Sequence, residues 1–342
     1  MLPGWDDVTD ESHIDIERVS GAFTNSVFFV TKKPRCTKTK PQKVILRIYG
    51  NGIDQLVERE KELVWLRMLS TVKIGPQLLG TFKNGRIEEY YESTTLTKDD
   101  IRMAPISRHI ASRMFQFHNI VKIFPPRDDA NPEVWVNIDR WYPLACKIFR
   151  SSENKEALDL LNLLRDEIPR LKVMLSKIDS PIVFAHNDTQ YGNILRLADG
   201  SNQLVVVDFE YAGYNYRGFD IGNHFCEWAY DYSGPDPHVL HRDWYPNEEE
   251  QLNFLEAYLE TQDQESGSTK FSSKDQSLLQ KMLVECNAFA LASHMMWGIW
   301  GLVQSFQSEI EFDYLSYGIQ RLNAFNDLKE EHYRQIKHHY DD

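Results

Sequence analysis

Asp188 stands five residues ahead of Asn193 in the segment Val183-Phe-Ala-His-Asn-Asp-Thr-Gln-Tyr-Gly-Asn-Ile-Leu195. A second aspartate, Asp208, closes the apolar run Leu204-Val-Val-Val207 and opens Asp208-Phe-Glu210. Residues of these types in this order suit phosphoryl transfer. A carboxylate at Asp188 can accept the proton of an attacking hydroxyl. The amide of Asn193 and the carboxylate of Asp208 offer hard oxygen ligands for Mg²⁺ bridging the phosphates of ATP, and Glu210 is placed to help hold a second ion. Each part also has a plainer reading, because His-Asn-Asp is common in turns and an aspartate after a strand can cap its exit. The conjunction carries the argument: an aspartate, an asparagine five residues on, a hairpin through Asp199-Gly200, a buried strand, and then Asp-Phe-Glu.

The elements that must position these groups fall into two predicted lobes, residues 1–92 and 93–342. In the first, Val27 to Val30 and Lys43 to Tyr49 read as paired strands, Asp54 to Ser70 as a helix stopped by Ile74-Gly-Pro76, and Leu78 to Phe82 with Arg86 to Tyr91 as a hairpin about Lys83-Asn84-Gly85. Beyond it helical periodicity dominates: Ile101 to Phe117, Lys155 to Ile178 interrupted at Pro169, Glu248 to Leu259, Asp275 to Gln304, and Tyr314 to His338. Strands are expected only at Ile182 to Phe184, Ile194 to Arg196 and Gln203 to Asp208. The expected fold is therefore α+β and bilobal, a small antiparallel sheet lobe followed by a large, mainly helical one.

At 342 residues the chain can bury two cores. Its net charge of −13, with no long Lys/Arg run, argues against a nucleic-acid partner and favours a cationic substrate. The opening Met-Leu-Pro-Gly-Trp-Asp-Asp is unlike a signal segment, and no stretch reaches about 18 uncharged apolar residues. The expectation is a cytoplasmic protein without stable membrane insertion. Cys36, Cys146, Cys226 and Cys286 lack paired metal spacing and read as reduced thiols.

Three further patterns leave alternatives open. Ser20-Gly-Ala-Phe-Thr-Asn25 is a small-residue turn ahead of a strand, either an ordinary turn or a loop whose amides approach phosphate. Arg47 lies on an otherwise apolar strand, where it either points outward or meets an anion, since a buried guanidinium needs one. Trp297 and Trp300, three apart on one helix face, are a core stripe or a surface for a quaternary ammonium.

The segments His186 to Leu195 and Asp208 to Trp228 closely resemble the signatures of choline/ethanolamine kinases. Ser20 to Asn25, Ile45-Leu-Arg-Ile-Tyr-Gly50 and Ser293-His-Met-Met-Trp-Gly-Ile-Trp300 extend the resemblance over nearly the whole chain, and several segments resemble fungal members. The resemblance implies a protein-kinase-like fold, use of ATP and Mg²⁺, and transfer of the γ-phosphoryl to choline, within phospholipid biosynthesis. For the nucleotide it implies contacts at Ser20, Gly21, Ala22, Thr24, Asn25 and Gln190, a phosphate contact from Arg47 with Glu62 as acidic partner (Glu60 the alternative), and adenine against the backbone of Glu89, Tyr90 and Tyr91. For the acceptor it implies Asp188 at the hydroxyl and Glu227, Tyr232, Trp297, Trp300, Phe312 and Tyr317 around the ammonium. Asp220 and His186 are implied to be structural. Cys226-Glu-Trp resembles choline kinases more than dedicated ethanolamine kinases, with dual activity open. An aminoglycoside-type phosphotransferase and an inactive kinase-like binding module are the remaining alternatives, and the resemblance allows a homodimer.

Overall fold

The computed structural model describes residues 2, 4–19, 25–33, 41–49, 59–266, 275–308 and 310–340. Two compact units are present, one formed by Met1–Thr94 with Leu195–Glu210, the other by Thr95–Ile194 with Tyr211–Asp342. The division expected near residue 92 thus omits one feature: the segment carrying Asp208 and Glu210 returns to the first unit.

In the first unit, five strands form an antiparallel sheet of order β1-β2-β3-β5-β4. They are β1 (Ile14–Val19), β2 (Asn25–Lys32), β3 (Lys43–Tyr49), β4 (Leu78–Phe82) and β5 (Gly85–Glu89). Alternation along β3 sends Val44 and Leu46 into an apolar cluster with Trp5, Val30 and Ile87. Arg47, an odd number of residues from both, faces the other side of the sheet. Helix α1 (Arg59–Thr71) follows β3. Strands β6 (Ser93–Thr95), β8 (Ile194–Leu197) and β9 (Leu204–Val206) make a three-stranded sheet of order β6-β8-β9. The turn between β8 and β9 passes through Gly200, where φ is 84°.

The second unit is mainly helical: α2 (Lys98–Arg102), α3 (Ala104–His118), α4 (Glu133–Phe149), α5 (Lys155–Leu175), α6 (Arg217–Glu227), α7 (Glu248–Ser266), α8 (Gln276–Gln307) and α9 (Tyr314–Tyr340). Strand β7 (Ile182–Ala185) pairs antiparallel with β10 (Gly213–Tyr216). Helix α5 continues through Pro169 where interruption was expected, because its apolar face, Leu160, Leu161, Leu164, Ile168 and Leu171, stays buried across the missing backbone bond. Helix α6, not anticipated, is buried along nearly its whole length, its polar stripe of Asp220, Asn223, His224 and Glu227 included. Its Gly222 lets α8 approach so closely that a Cβ would fall 2.4 Å from the Cys286 carbonyl. None of the helices among the described residues is long and apolar enough to cross a membrane.

One packing detail holds Asp208-Phe-Glu210. Phe209 is fully buried against Gly75, which has φ 68°, and a Cβ there would lie 2.5 Å from the phenyl ring. The Gly75 carbonyl also accepts a hydrogen bond from the Tyr91 hydroxyl at 2.8 Å. Gly75→Ala is expected to cost about 1–3 kcal/mol of unfolding free energy. Urea denaturation would read it, and an unshifted midpoint would mean that Phe209 moves aside freely.

Candidate active site

Within the first unit a ladder of charges lines one side of the sheet. Arg47 on β3 lies directly opposite Arg86 on β5, a pairing of like charges that is unfavourable unless anions separate them. Glu88, two residues from Arg86 on the same strand face, supplies one. Its Oε1 is 3.5 Å from Arg47 Nε and makes a short contact with Arg86 Nε. Glu62 from α1 meets Arg86 Nη2 at 2.7 Å, and Asp208 Oδ2 meets Arg47 Nη1 at 3.0 Å. Burial works to raise the Glu88 carboxyl, but Arg47 and Arg86 outweigh it and hold the group below its usual range. Burial likewise opposes the Arg47 charge, and Asp208 and Glu88 more than restore it.

Arg47 is buried and forms ion pairs with Asp208 and Glu88; Glu62, whose charge also supports Arg47, pairs with Arg86. Glu60, the alternative, is exposed. Arg86 and Glu88 were missed because each sits in an ordinary polar stretch of a hairpin, and only the register of β3 against β5 shows them opposite Arg47. Carboxylate oxygens of Glu62, Asp208 and Glu210 lie within 4.8 Å of one another. Asp208 has φ 69°, a left-handed conformation uncommon for a non-glycine residue.

On the edge of the same unit, Tyr90 packs edge-on against Phe29 at 5.3 Å, and Lys43 Nζ lies 4.0 Å from the Tyr90 ring centroid. The Glu89 amide donates to Gln77 O at 2.9 Å. Ser20, Gly21, Ala22 and Thr24 lie outside the described residues, as does the side chain of Asn25.

Within the second unit, the loop after β7 carries Asp188. Asp220, fully buried on α6, accepts the His186 amide at 3.0 Å, the Asn187 amide at 2.7 Å and His118 Nε2 at 2.8 Å. Burial alone would raise this carboxyl, but the hydrogen bond and charge of His118, followed by His186, hold it low. Asn187, with φ 66°, is fixed further through Tyr211 O, Asn215 and Asn223. The turn that results presents Asp188, whose Oδ2 and carbonyl both accept from Asn193 Nδ2 at 2.9 Å. His186 Nδ1 accepts the Asp188 amide at 3.3 Å in a buried position. Gln190 Oε1 accepts the Gly192 amide at 2.6 Å. His224 binds Thr189 O at 2.8 Å, and burial lowers its pKa to about 4, so it is neutral here.

The aromatic residues converge in this unit as well. Trp297 and Trp300 meet at 5.2 Å in edge geometry, Trp300 lies 6.1 Å from Tyr317, and Tyr317 lies 5.8 Å from Phe312. Tyr211 and Tyr314, absent from the sequence reading, join them: Trp300 Nε1 donates to the Tyr211 hydroxyl at 2.9 Å, and Tyr314 lies 5.5 Å from Trp300. Glu227, 3 % exposed, accepts the Tyr232 hydroxyl at 2.6 Å. Tyr232 stacks on Tyr230 with centroids 5.4 Å apart. A close helix crossing makes this convergence possible, since Gly298, Gly301 and Gly318 let α8 and α9 touch through their backbones, with a Cβ on Gly318 falling 2.8 Å from Gly298 O.

A five-stranded antiparallel unit and a mainly helical one, the latter with an aspartate–asparagine loop fixed by a buried aspartate, make up the protein-kinase-like phosphotransferase class. The family profile described as choline/ethanolamine kinase matches residues 16–326, and the chain belongs to that family. It is 36% identical over 94% of its length to probable choline kinase 2 of Arabidopsis thaliana, covering 87% of that protein. To the human choline/ethanolamine kinase it is 36% identical over 90% of its length and 78% of the relative's. The crystal structure of choline kinase from Cryptosporidium parvum Iowa II superposes with a TM-score of 0.82 at 28% identity, over 98% of this chain and 94% of that one.

The Asp220 carboxylate generates a pH test. Its folded pKa is depressed, so its stabilisation is complete above the unfolded value, about 3.9, and is lost as pH falls towards the folded value. Asp220→Asn is expected to lower unfolding free energy by about 3 kcal/mol at neutral pH, with the gap to wild type narrowing under acid. Equilibrium unfolding across that range checks it; a gap independent of pH would mean that the charge is not what matters.

Proposed function

We propose that this kinase transfers the γ-phosphoryl group of ATP to the hydroxyl of choline, giving phosphocholine and ADP. The observation that carries the reading is the convergence of Trp297, Trp300, Tyr317, Phe312 and Tyr232 with the buried carboxylate of Glu227. A trimethylammonium group donates no N–H, so aromatic faces with a nearby negative charge are the receptor that physical chemistry favours for it. A polyhydroxylated acceptor would need a polar wall instead.

Asp188 acts as the base that orients and deprotonates the acceptor hydroxyl, with Asn193 fixing its carboxylate. Arg47 steadies phosphate oxygens, and the backbone beside Glu89, Tyr90 and Tyr91 receives the adenine edge. Mg²⁺, when bound, neutralises charge on the triphosphate. The clustered oxygens of Glu62, Asp208 and Glu210 fit a hard cation, and Asp208, Glu210 and the Asn193 carbonyl are the residues that would hold it. Ordering both substrates lets the remaining work be done by position and electrostatics.

The test is phosphoester formation followed by mass spectrometry, with Mg·ATP and either choline or ethanolamine. Phosphocholine is the expected main product. Asp188→Ala should lower kcat by about 10²-fold or more, and Asp208→Ala should abolish turnover. Trp300→Ala should act mainly on the choline KM, raising it about tenfold. Phosphoethanolamine as the dominant product would overturn the aromatic-box argument while leaving the kinase chemistry standing.

A further inference from the structure

Arg321 on α9 is fully buried, and nothing in the chemistry above uses it. Its Nη2 donates to Ser293 Oγ at 2.8 Å; Ser293 Oγ donates to Asn223 Oδ1 at 2.7 Å; Asn223 Nδ2 donates to the Asn187 carbonyl at 3.1 Å. All four residues have no solvent exposure, so the guanidinium hangs on a closed polar chain that ends beside Asp188. Its other face meets a carboxylate and two aromatic rings. Nη1 and Nε make no hydrogen bond, and Nη1 lies 3.6 Å from Glu227 Oε1, close enough for an ion pair and too far for a hydrogen bond. The rings of Tyr230 and Tyr317 flank the guanidinium at 5.7 and 5.8 Å.

A guanidinium held this way is a poor stabiliser. Desolvating it is costly, and apolar residues of similar volume commonly replace a buried ion pair as a whole at no loss. Its charge, however, bears on Glu227. A carboxyl buried in an aromatic pocket favours the protonated form, which cannot attract a cation. Burial does push the Glu227 carboxyl up, and Arg321 and the Tyr232 hydroxyl pull it back.

We propose that Arg321 is a positioning residue for the acceptor site: it keeps Glu227 charged inside a desolvated aromatic pocket and thereby makes the pocket selective for a cationic alcohol. This rests on the choline reading above. Glu227 is then a shared counter-ion, with Oε1 towards the resident guanidinium and Oε2 bonded to Tyr232. The other titratable groups around it are Cys226 on its own helix, Tyr230 and Tyr232 on the following segment, Tyr191 in the loop after β7, Tyr317 on α9, and His294 on α8 behind Cys226. The tyrosines are raised by burial, the Cys226 thiol is pushed up to about 11, and burial lowers His294, whereas on the Glu227 carboxyl burial is opposed by the charge of Arg321.

The experiment compares wild type with Arg321→Met on two ligands: choline, and its neutral carbon isostere in which a tert-butyl group replaces trimethylammonium. In R321M the choline KM should rise about tenfold or more while the inhibition constant of the isostere stays put. The choline KM should fall back as pH is raised, because the Glu227 carboxyl, pushed up by burial and no longer pulled down by Arg321, regains its charge. Glu227→Gln should show the same rise without the recovery. Arg321→Lys, which keeps the charge and serves if R321M fails to fold, should preserve the choline-to-isostere ratio. Parallel weakening of both ligands in R321M, an unchanged ratio in E227Q, or a collapsed ratio in R321K would overturn the proposal. A wild type that forms no phosphocholine would instead overturn the choline reading itself.

Discussion

The second unit depends on one buried carboxylate. Asp220 accepts two successive backbone amides and a histidine, and in doing so it fixes a turn that the chain would otherwise leave. Asn187 is thereby held in a left-handed conformation, which a non-glycine residue adopts only when its surroundings over-determine it. The surroundings here are fully satisfied polar groups, and a satisfied buried network is rigid where a half-satisfied one is a liability. Asp188 owes its placement to this network, and the aspartate beneath it carries no exposed atom.

The first unit solves an electrostatic problem rather than a conformational one. Placing Arg47 opposite Arg86 puts two guanidinium groups on neighbouring strands in a dry environment, and Glu62, Glu88 and Asp208 are arranged to neutralise them. The five charges form a ladder of two cations and three anions. Such a ladder is tolerable because every member has a partner within ion-pair distance, whereas removal of any one would strand a buried charge. Asp208 thus ties the ladder to the return segment that also holds Glu210, and Phe209 between them is wedged against Gly75.

The aromatic cluster follows from small residues more than from large ones. Gly298, Gly301 and Gly318 remove the side chains that would hold α8 and α9 apart, and the resulting approach lets Tyr317 and Trp300 face each other and brings Arg321 beneath Ser293. Tryptophans at helical spacing are ordinary core residues in most proteins, and Trp297 and Trp300 are buried here too. Their company distinguishes them: a carboxylate and a ring of tyrosines have no place in a purely apolar core.

Much of this was legible before any coordinates. The helices Glu248–Ser266, Gln276–Gln307 and Tyr314–Tyr340 have long periodic patterns, the β4–β5 hairpin announces itself through Lys83-Asn84-Gly85, and the family signatures name Asp188, Asn193 and Asp208 outright. Local propensity and short-range spacing suffice for such features. Helices α4 and α6 and strands β1 and β10 escaped, α6 because it is short and its polar stripe of Asp220, Asn223, His224 and Glu227 is buried together with its apolar face. The pairing of Arg47 with Asp208 and Glu88 escaped for a different reason, since strand register and the return of residues 195–210 decide it. Arg321 illustrates the same divide. Sequence shows an arginine on a helix, four residues past a tyrosine; only the packing of α9 on α8 makes it a buried cation facing Glu227, because partners far apart in the chain become neighbours through tertiary contact alone.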